Sequence, residues 1–258
     1  MLGQAPYTSL DVRFQIFGIP VRIHPVFWLS SAFLVWNGRE PQLIFPGIIC
    51  VLVSVLVHEL GHAIMSRRYG YPSEIVLFFL GGYATSSRFS TWKSVKVSIA
   101  GPAAGFALFL LTDLAFNYMT EYHRQVLIDY PVVWSCFLHL LFMNLMWNVI
   151  NLIPTLPLDG GNIMQALVSR YGAPRAGEKV KKISFGAALA AAVWFLICWK
   201  PDFLASKGIG PFLPIPLPQF VIPDLPIAAI QPAGGMLVIF FGLLAAQNYN
   251  AMQNRSHY

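Results

Sequence analysis

The 258-residue chain is 56% hydrophobic and 11% charged, with a mean hydropathy of +0.60, whereas soluble domains average about 45–50% apolar and about 25% charged residues. That balance excludes an ordinary water-soluble globule, and equally a disordered chain, a collagen repeat or a disulfide scaffold. The 17 Lys and Arg against 11 Asp and Glu leave a net charge of +6, which in so apolar a chain records membrane orientation rather than nucleic-acid binding.

The apolar residues come in helix-spanning blocks. The predicted fold class is therefore an α-helical polytopic membrane protein, one domain over residues 1–258, with about six transmembrane helices and small membrane-associated β elements. Residues 1–24 hold Asp11, Arg13 and Arg22 but no early apolar run, so no cleavable signal is expected and the N-terminus is expected to be retained. Arg13 to His24 alternates loosely around Gly18 and Pro20, which predicts a short surface strand pair. The first apolar block, 25–36, is short for a span and must borrow neighbouring residues or tilt little. The second, 43–66, is long enough to cross. Residues 71–88, with FFLGGYA, predict extended structure at a membrane interface.

Further spans are predicted at 95–118, 132–153, 183–199 and 234–250. The proline-rich stretch 200–233 between the last two cannot be one regular helix. Cys50, Cys136 and Cys198 each sit in an apolar block without ligand-like spacing and are read as packing residues. Six crossings put both termini on one side. Only Arg39, Arg124, Lys200 and Lys207 of the 17 basic residues then fall on the other side, so the positive-inside rule predicts cytoplasmic termini.

A charged group inside a span costs about 2.5–3.5 kcal/mol on insertion scales, so each is a functional candidate. The second span contains His58-Glu59-Leu60-Gly61-His62. On a helix, imidazoles at i and i+4 share a face and can reach one Zn²⁺, while Glu59 beside them is placed to take a proton from water activated there. A catalytic zinc needs a third protein ligand. Asp113, His139 and Asp159 are the candidates, and depth favours Asp159. His58 lies nine residues before Arg67 and Asp159 eleven before Arg170, about 14 and 16 Å at helical rise, whereas Asp113 lies about 25 Å beyond Lys96. Pro154 and Pro157 should break the fourth span just ahead of Asp159 and free main-chain groups at membrane depth. Asn144, Asn148 and Asn151 form a polar stripe suited either to interhelical hydrogen bonds or to orienting ligands. Ser98, Gly101 and Gly105 form a small-residue packing face in the third span.

These residues resemble the site-2 protease family of intramembrane zinc metalloproteases. The resemblance rests on HELGH, Gly81-Gly82, Ala100-Gly101-Pro102 and NLIPTLPLDGG, taken in that order over residues 50–165. It is closest to the compact branch related to sporulation-factor and archaeal members, with a core over 43–170. It implies one Zn²⁺ per chain held by His58, His62 and Asp159, with Glu59 as general base. It also implies that Asn151 and Pro157 help hold substrate and that Gly81 and Gly82 lie in a strand near the substrate path. The expected partners are the lipid bilayer and a transmembrane protein substrate, cut to release a membrane-held regulator; nucleic acid is not expected. The family's third-span motif often has Asn where this chain has Gly105. A metal transporter or sensor is disfavoured by the single ligand cluster and the lack of an inverted repeat. An inactive scaffold is disfavoured by the retention of Glu59.

Overall fold

The computed structural model describes residues 5–36, 40–79, 81–84, 90–171, 175–199 and 231–253. Strand β1 (Val12–Ile16) pairs antiparallel with β2 (Ile19–Ile23), and helix α1 (Pro25–Val35) follows. A 3-10 turn (Pro41–Leu43) leads into α2 (Ile44–Arg68). Strands β3 (Ile75–Phe78) and β4 (Gly81–Ala84) come next. The helices α3 (Thr91–Tyr122), α4 (Arg124–Asp129), α5 (Pro131–Asn151), α6 (Asp159–Arg170), α7 (Ala176–Trp199) and α8 (Gln231–Gln253) complete the chain.

Five helices among the described residues are long and apolar enough to cross a membrane, and the first apolar block forms the 11-residue α1. At helical rise α1 reaches only about 16 Å, half of a hydrocarbon core of about 30 Å. A four-stranded sheet packs beside it. Its order is β1-β2-β3-β4, with β2 parallel to β3 across the α1–α2 excursion. At one end, Phe17 (φ 50°) and Gly18 (φ 72°) make the tight turn between β1 and β2. Arg67, near the end of α2, donates to the Phe17 and Gly18 carbonyls at 3.0 and 2.8 Å. At the other end α1 meets α2 so closely that a Cβ on Gly47 would lie 3.0 Å from the Val35 Cβ. Five residues of β2 add about 16 Å, so β2 and α1 together run alongside most of α2. α1 alone stays shorter than a membrane-spanning helix.

The apolar residues that hold this unit come from every part of it. Ile19, Val21 and Ile23 of β2, Phe27 of α1, Val51, Val55 and Ala63 of α2, and Ile75 and Leu77 of β3 form one buried cluster. A second buried cluster joins α7 and α8 to Ile150 and Leu158. Helix bounds differ from the sequence expectation where polar residues continue a helix past its apolar part. The fifth span starts at Ala176 rather than at 183, because its first turns carry Glu178, Lys179, Lys181 and Lys182. The fourth ends at Asn151 rather than at 153, ahead of Pro154. Of the proline-rich stretch 200–233, residues 200–230 lie outside the described residues and 231–233 begin α8.

The N-terminal segment is tied to the sheet by Arg22, whose guanidinium is buried. Its Nη1 donates to Asp11 Oδ2 at 3.1 Å and to the Pro6 carbonyl at 3.0 Å, and its Nη2 donates to the Ala5 carbonyl at 3.0 Å. The Thr8 hydroxyl also donates to Asp11, at 2.7 Å, and so does the Thr8 N–H, at 3.1 Å. The Thr8 hydroxyl, its N–H and the Arg22 guanidinium hold the Asp11 carboxyl well below the usual carboxylate range, against the opposing pull of burial. A depressed carboxyl stabilises the fold above its unfolded pKa and loses that contribution as pH falls through its folded one. Asp11→Asn should therefore lower Tm in detergent at pH 7, and the wild-type advantage should shrink progressively below about pH 4. Thermal melts of both proteins from pH 7 to pH 3 measure this, and a gap constant over that range would contradict it.

Candidate metal centre

His58 and His62 lie one turn apart on α2, and Asp159 opens α6. The fold brings their ligand atoms within 4.8 Å of one another, the one such group of three or more among the described residues. The two Nε2 atoms are 3.1 Å apart. Asp159 presents Oδ2 to His58 Nε2 at 3.1 Å and Oδ1 to His62 Nε2 at 3.2 Å.

The other ring nitrogens fix the tautomers. His62 Nδ1 lies 2.7 Å from the Val97 carbonyl, which can only accept, so Nδ1 carries the proton. Asn148 Nδ2 donates to the Asn144 carbonyl, which turns its Oδ1 toward His58 Nδ1 at 2.8 Å. That nitrogen is a donor as well. Each Nε2 therefore presents a lone pair, and with the carboxylate they form a set of electron-rich atoms that repel unless a cation sits among them. Ligands about 2.0–2.1 Å from a tetrahedral centre are about 3.3 Å apart. Two imidazole nitrogens and one carboxylate at this spacing fit a zinc ion with a fourth position left for water or substrate.

Close approach of helices makes the geometry possible. A Cβ on Gly61 would overlap the Ala100 carbonyl of α3, so α2 and α3 touch backbone to backbone beside the histidines. A Cβ on Gly101 would overlap the His62 ring, and one on Gly105 would overlap the Asn148 amide. The small-residue face of α3 is thus more than packing: its two glycines are the space in which a ring and an amide sit. At Gly105 the space is filled by the Asn148 amide of α5. Pro102 interrupts the α3 ladder by removing the N–H that would bond the Ser98 carbonyl, one residue from Val97. Asn144 donates to Ser54 Oγ at 2.9 Å and so ties α5 to α2 one turn before His58.

Glu59 lies between the two histidines in sequence and is 5% exposed. Asn151 is buried at the end of α5 and Pro157 is exposed two residues before Asp159. Gly81 and Gly82 lie in β4, paired with Phe78 and Leu77. The two discarded ligand candidates stay apart from the cluster. Asp113 accepts from Asn117 on the exposed side of α3, and His139 donates to the Ser135 carbonyl on its own helix. Cys50 is buried and unbridged and Cys136 is half-buried and unbridged, as packing residues would be.

A model of peptidase family M50 matches residues 46–130 and 123–195, more than half of the 258 residues. The chain belongs to peptidase family M50, the site-2 protease family. A zinc metalloprotease of Methanocaldococcus jannaschii is 29% identical over 188 residues, covering 71% of this chain and 53% of that protein. Rip3 of Mycobacterium tuberculosis is 33% identical over 216 residues, 77% of this chain and 51% of its own. Stage IV sporulation protein FB of Bacillus subtilis is 26% identical over 160 residues, 59% of this chain and 49% of its own. The chain spans about half the length of these relatives. A solved site-2 protease from Methanocaldococcus jannaschii aligns over 91% of this chain and 95% of its own, at 23% identity and a TM-score of 0.49. With five membrane-length apolar helices, this M50 member is an integral membrane protein.

Sequence reasoning missed the Val97 carbonyl, since a main-chain group has no side-chain signature. It placed Asn148 on the right stripe without separating it from its neighbours. Two variants test the site. Asn148→Leu removes the acceptor for His58 and should weaken zinc binding about 10–100-fold, measured by competition with a chromophoric chelator. Gly101→Ala should displace the His62 ring and lower zinc content at least as much. Wild-type affinity in both would show that the rings are held by something else.

Proposed function

We propose that this chain is an intramembrane zinc metallopeptidase that hydrolyses a peptide bond within a transmembrane segment of another protein, releasing a membrane-tethered regulator. The observation that carries the proposal is the convergence of His58, His62 and Asp159 on one point, at membrane depth, in a chain with Glu59 between the histidines. One Zn²⁺ per chain, held by these three residues, supplies Lewis acidity for a substrate carbonyl. The chain's own residues do the rest. Glu59 takes a proton from the attacking water and returns it to the leaving amine. The Val97 carbonyl and Asn148 keep the two rings in the tautomer that leaves both Nε2 atoms available.

A substrate helix hides its carbonyls and must unwind to be cut. β4 is the last strand in the order of the sheet. An unwound segment can add to its outer edge through main-chain hydrogen bonds, with Gly81 and Gly82 admitting a close backbone. Asn151 and Pro157 then hold the segment near Asp159. The sheet lies at the end of α2 that carries Arg67 and Arg68, and the excess of Lys and Arg supports a cytoplasmic location for that side and for both termini of a cell-membrane protein. Residues 1–258 form one such domain, with its catalytic core over 43–170.

The test uses the purified full chain in detergent, with metal counted by mass spectrometry and a panel of tagged single-span reporters as substrates. Wild type should carry about one zinc per chain and cut at least one reporter. Glu59→Gln should keep the zinc and lose cleavage by 10²-fold or more. Asp159→Ala should lose both. Cleavage by Glu59→Gln at the wild-type rate, or full zinc in Asp159→Ala, would overturn the assigned roles. Zinc flux into vesicles without cleavage of any reporter would replace hydrolysis by transport.

A further inference from the structure

Between α5 and α6 the chain runs outside regular helix for seven residues, 152–158, beside the candidate metal centre. Pro154 and Pro157 have no N–H to give, and each remaining main-chain group needs a partner inside the protein. Several are satisfied locally. The Ile153 N–H donates to the Ile150 carbonyl at 3.1 Å, and the Leu158 N–H to the Thr155 carbonyl at 2.9 Å. Leu156, three residues before Asp159, is held from outside. Its N–H donates to Ser184 Oγ of α7 at 3.2 Å, and its carbonyl accepts from Asn248 Nδ2 of α8 at 3.0 Å. The Thr155 hydroxyl donates to the Ser184 carbonyl at 2.8 Å. Ser184 and Thr155 are fully buried and Asn248 is 5% exposed.

The opposite side of the same loop rests on α6. A Cβ on Gly160 would overlap the Leu152 carbonyl, and one on Gly161 would overlap the main chain at Thr155 and Leu156. The loop is therefore gripped between two glycines that follow Asp159 and two polar side chains from α7 and α8. Helix α8 packs along α7, and the pair meets the other described elements chiefly through α6 and this loop. Leu158, next to Asp159, is part of the apolar cluster that the pair forms.

We infer that Ser184 and Asn248 are positioning residues for the metal centre, setting the place of the Asp159 carboxylate against the two imidazoles by holding both main-chain groups of Leu156. The position of the α7–α8 pair is thereby coupled to the third ligand. The inference rests on the metal-centre reading above. It assigns a role to two residues with no chemistry of their own, one in the fifth span and one in the sixth.

The test measures zinc affinity by chelator competition and the visible spectrum of the Co²⁺-substituted protein, on the monodisperse full chain in detergent. Ser184→Ala and Asn248→Leu should each weaken zinc binding about tenfold or more and alter the Co²⁺ bands. Ser184→Thr, which keeps the hydroxyl, should retain wild-type affinity. Leu237→Ala, in the α7–α8 core eleven residues before Asn248 and so about 16 Å along α8 from the contact with Leu156, should lower Tm while leaving affinity and spectrum unchanged. If Asn248→Leu does not fold, Ser184→Ala, which removes one oxygen, decides the matter. Wild-type affinity and spectrum in Ser184→Ala, while Asp159→Ala is impaired, would overturn the inference alone. An unimpaired Asp159→Ala would overturn the metal reading beneath it.

Discussion

A buried histidine offers a lone pair to a metal at low cost only if the proton on its other nitrogen has a partner within the protein. Two histidines need two such partners, and each comes from a different helix. The Val97 carbonyl serves His62 from α3, and Asn148 Oδ1 serves His58 from α5. Satisfying both at once requires α2 to lie against α3 at backbone contact and α5 to send an amide into the gap. That demand accounts for glycine at 61, 101 and 105, where any side chain would fill the space that the partner occupies. Packing in this part of the bundle serves the ligands, and apolar area alone would have allowed many other arrangements.

The sequence carried the candidate ligands more plainly than their supports. An i, i+4 histidine pair announces itself, because helix geometry makes the two rings neighbours whatever surrounds them. Asp159 was legible by depth and by the two prolines that end the fourth span ahead of it. The acceptors were not. Val97 contributes a group that every residue has, and its exposure depends on how α3 passes α2. Among Asn144, Asn148 and Asn151, the residue that meets His58 is chosen by the axial placement of α5 along α2, which Asn144 and Ser54 fix. A pattern within one helix contains its face but not its height against a neighbour. The small-residue face of α3 was likewise visible as a place of close approach, while the ring and the amide that fill it were not.

The N-terminal hairpin and α1 show the same division between local and long-range information. A hairpin around Gly18 and a short apolar block were both readable, each from fewer than fifteen residues. Their union into one unit was not, because it depends on β2 pairing with β3, with α1 and α2 between them in the chain. That parallel pair returns the chain to the end of α2 where Arg67 holds the hairpin turn. A strand and a short helix thus lie together along α2. Their main-chain groups stay paired throughout, β2 within the sheet and α1 within itself.

The break before Asp159 sets a harder problem, since it exposes main-chain groups where a continuous helix would hide them. Two prolines and the loss of helical bonding are costly at that depth unless the groups released find partners. The break also does something a continuous helix cannot. It places Asp159 in the first turn of a new helix, where the unpaired N–H groups and the positive end of the dipole favour a carboxylate. A ligand carried this way is only as well placed as the loop that leads to it. The loop is in turn only as rigid as the Gly160-Gly161 contact on one side and the Ser184 and Asn248 contacts on the other. The helix pair most distant in sequence from the histidines is therefore in contact with the loop that carries Asp159, the proposed third ligand, opposite them.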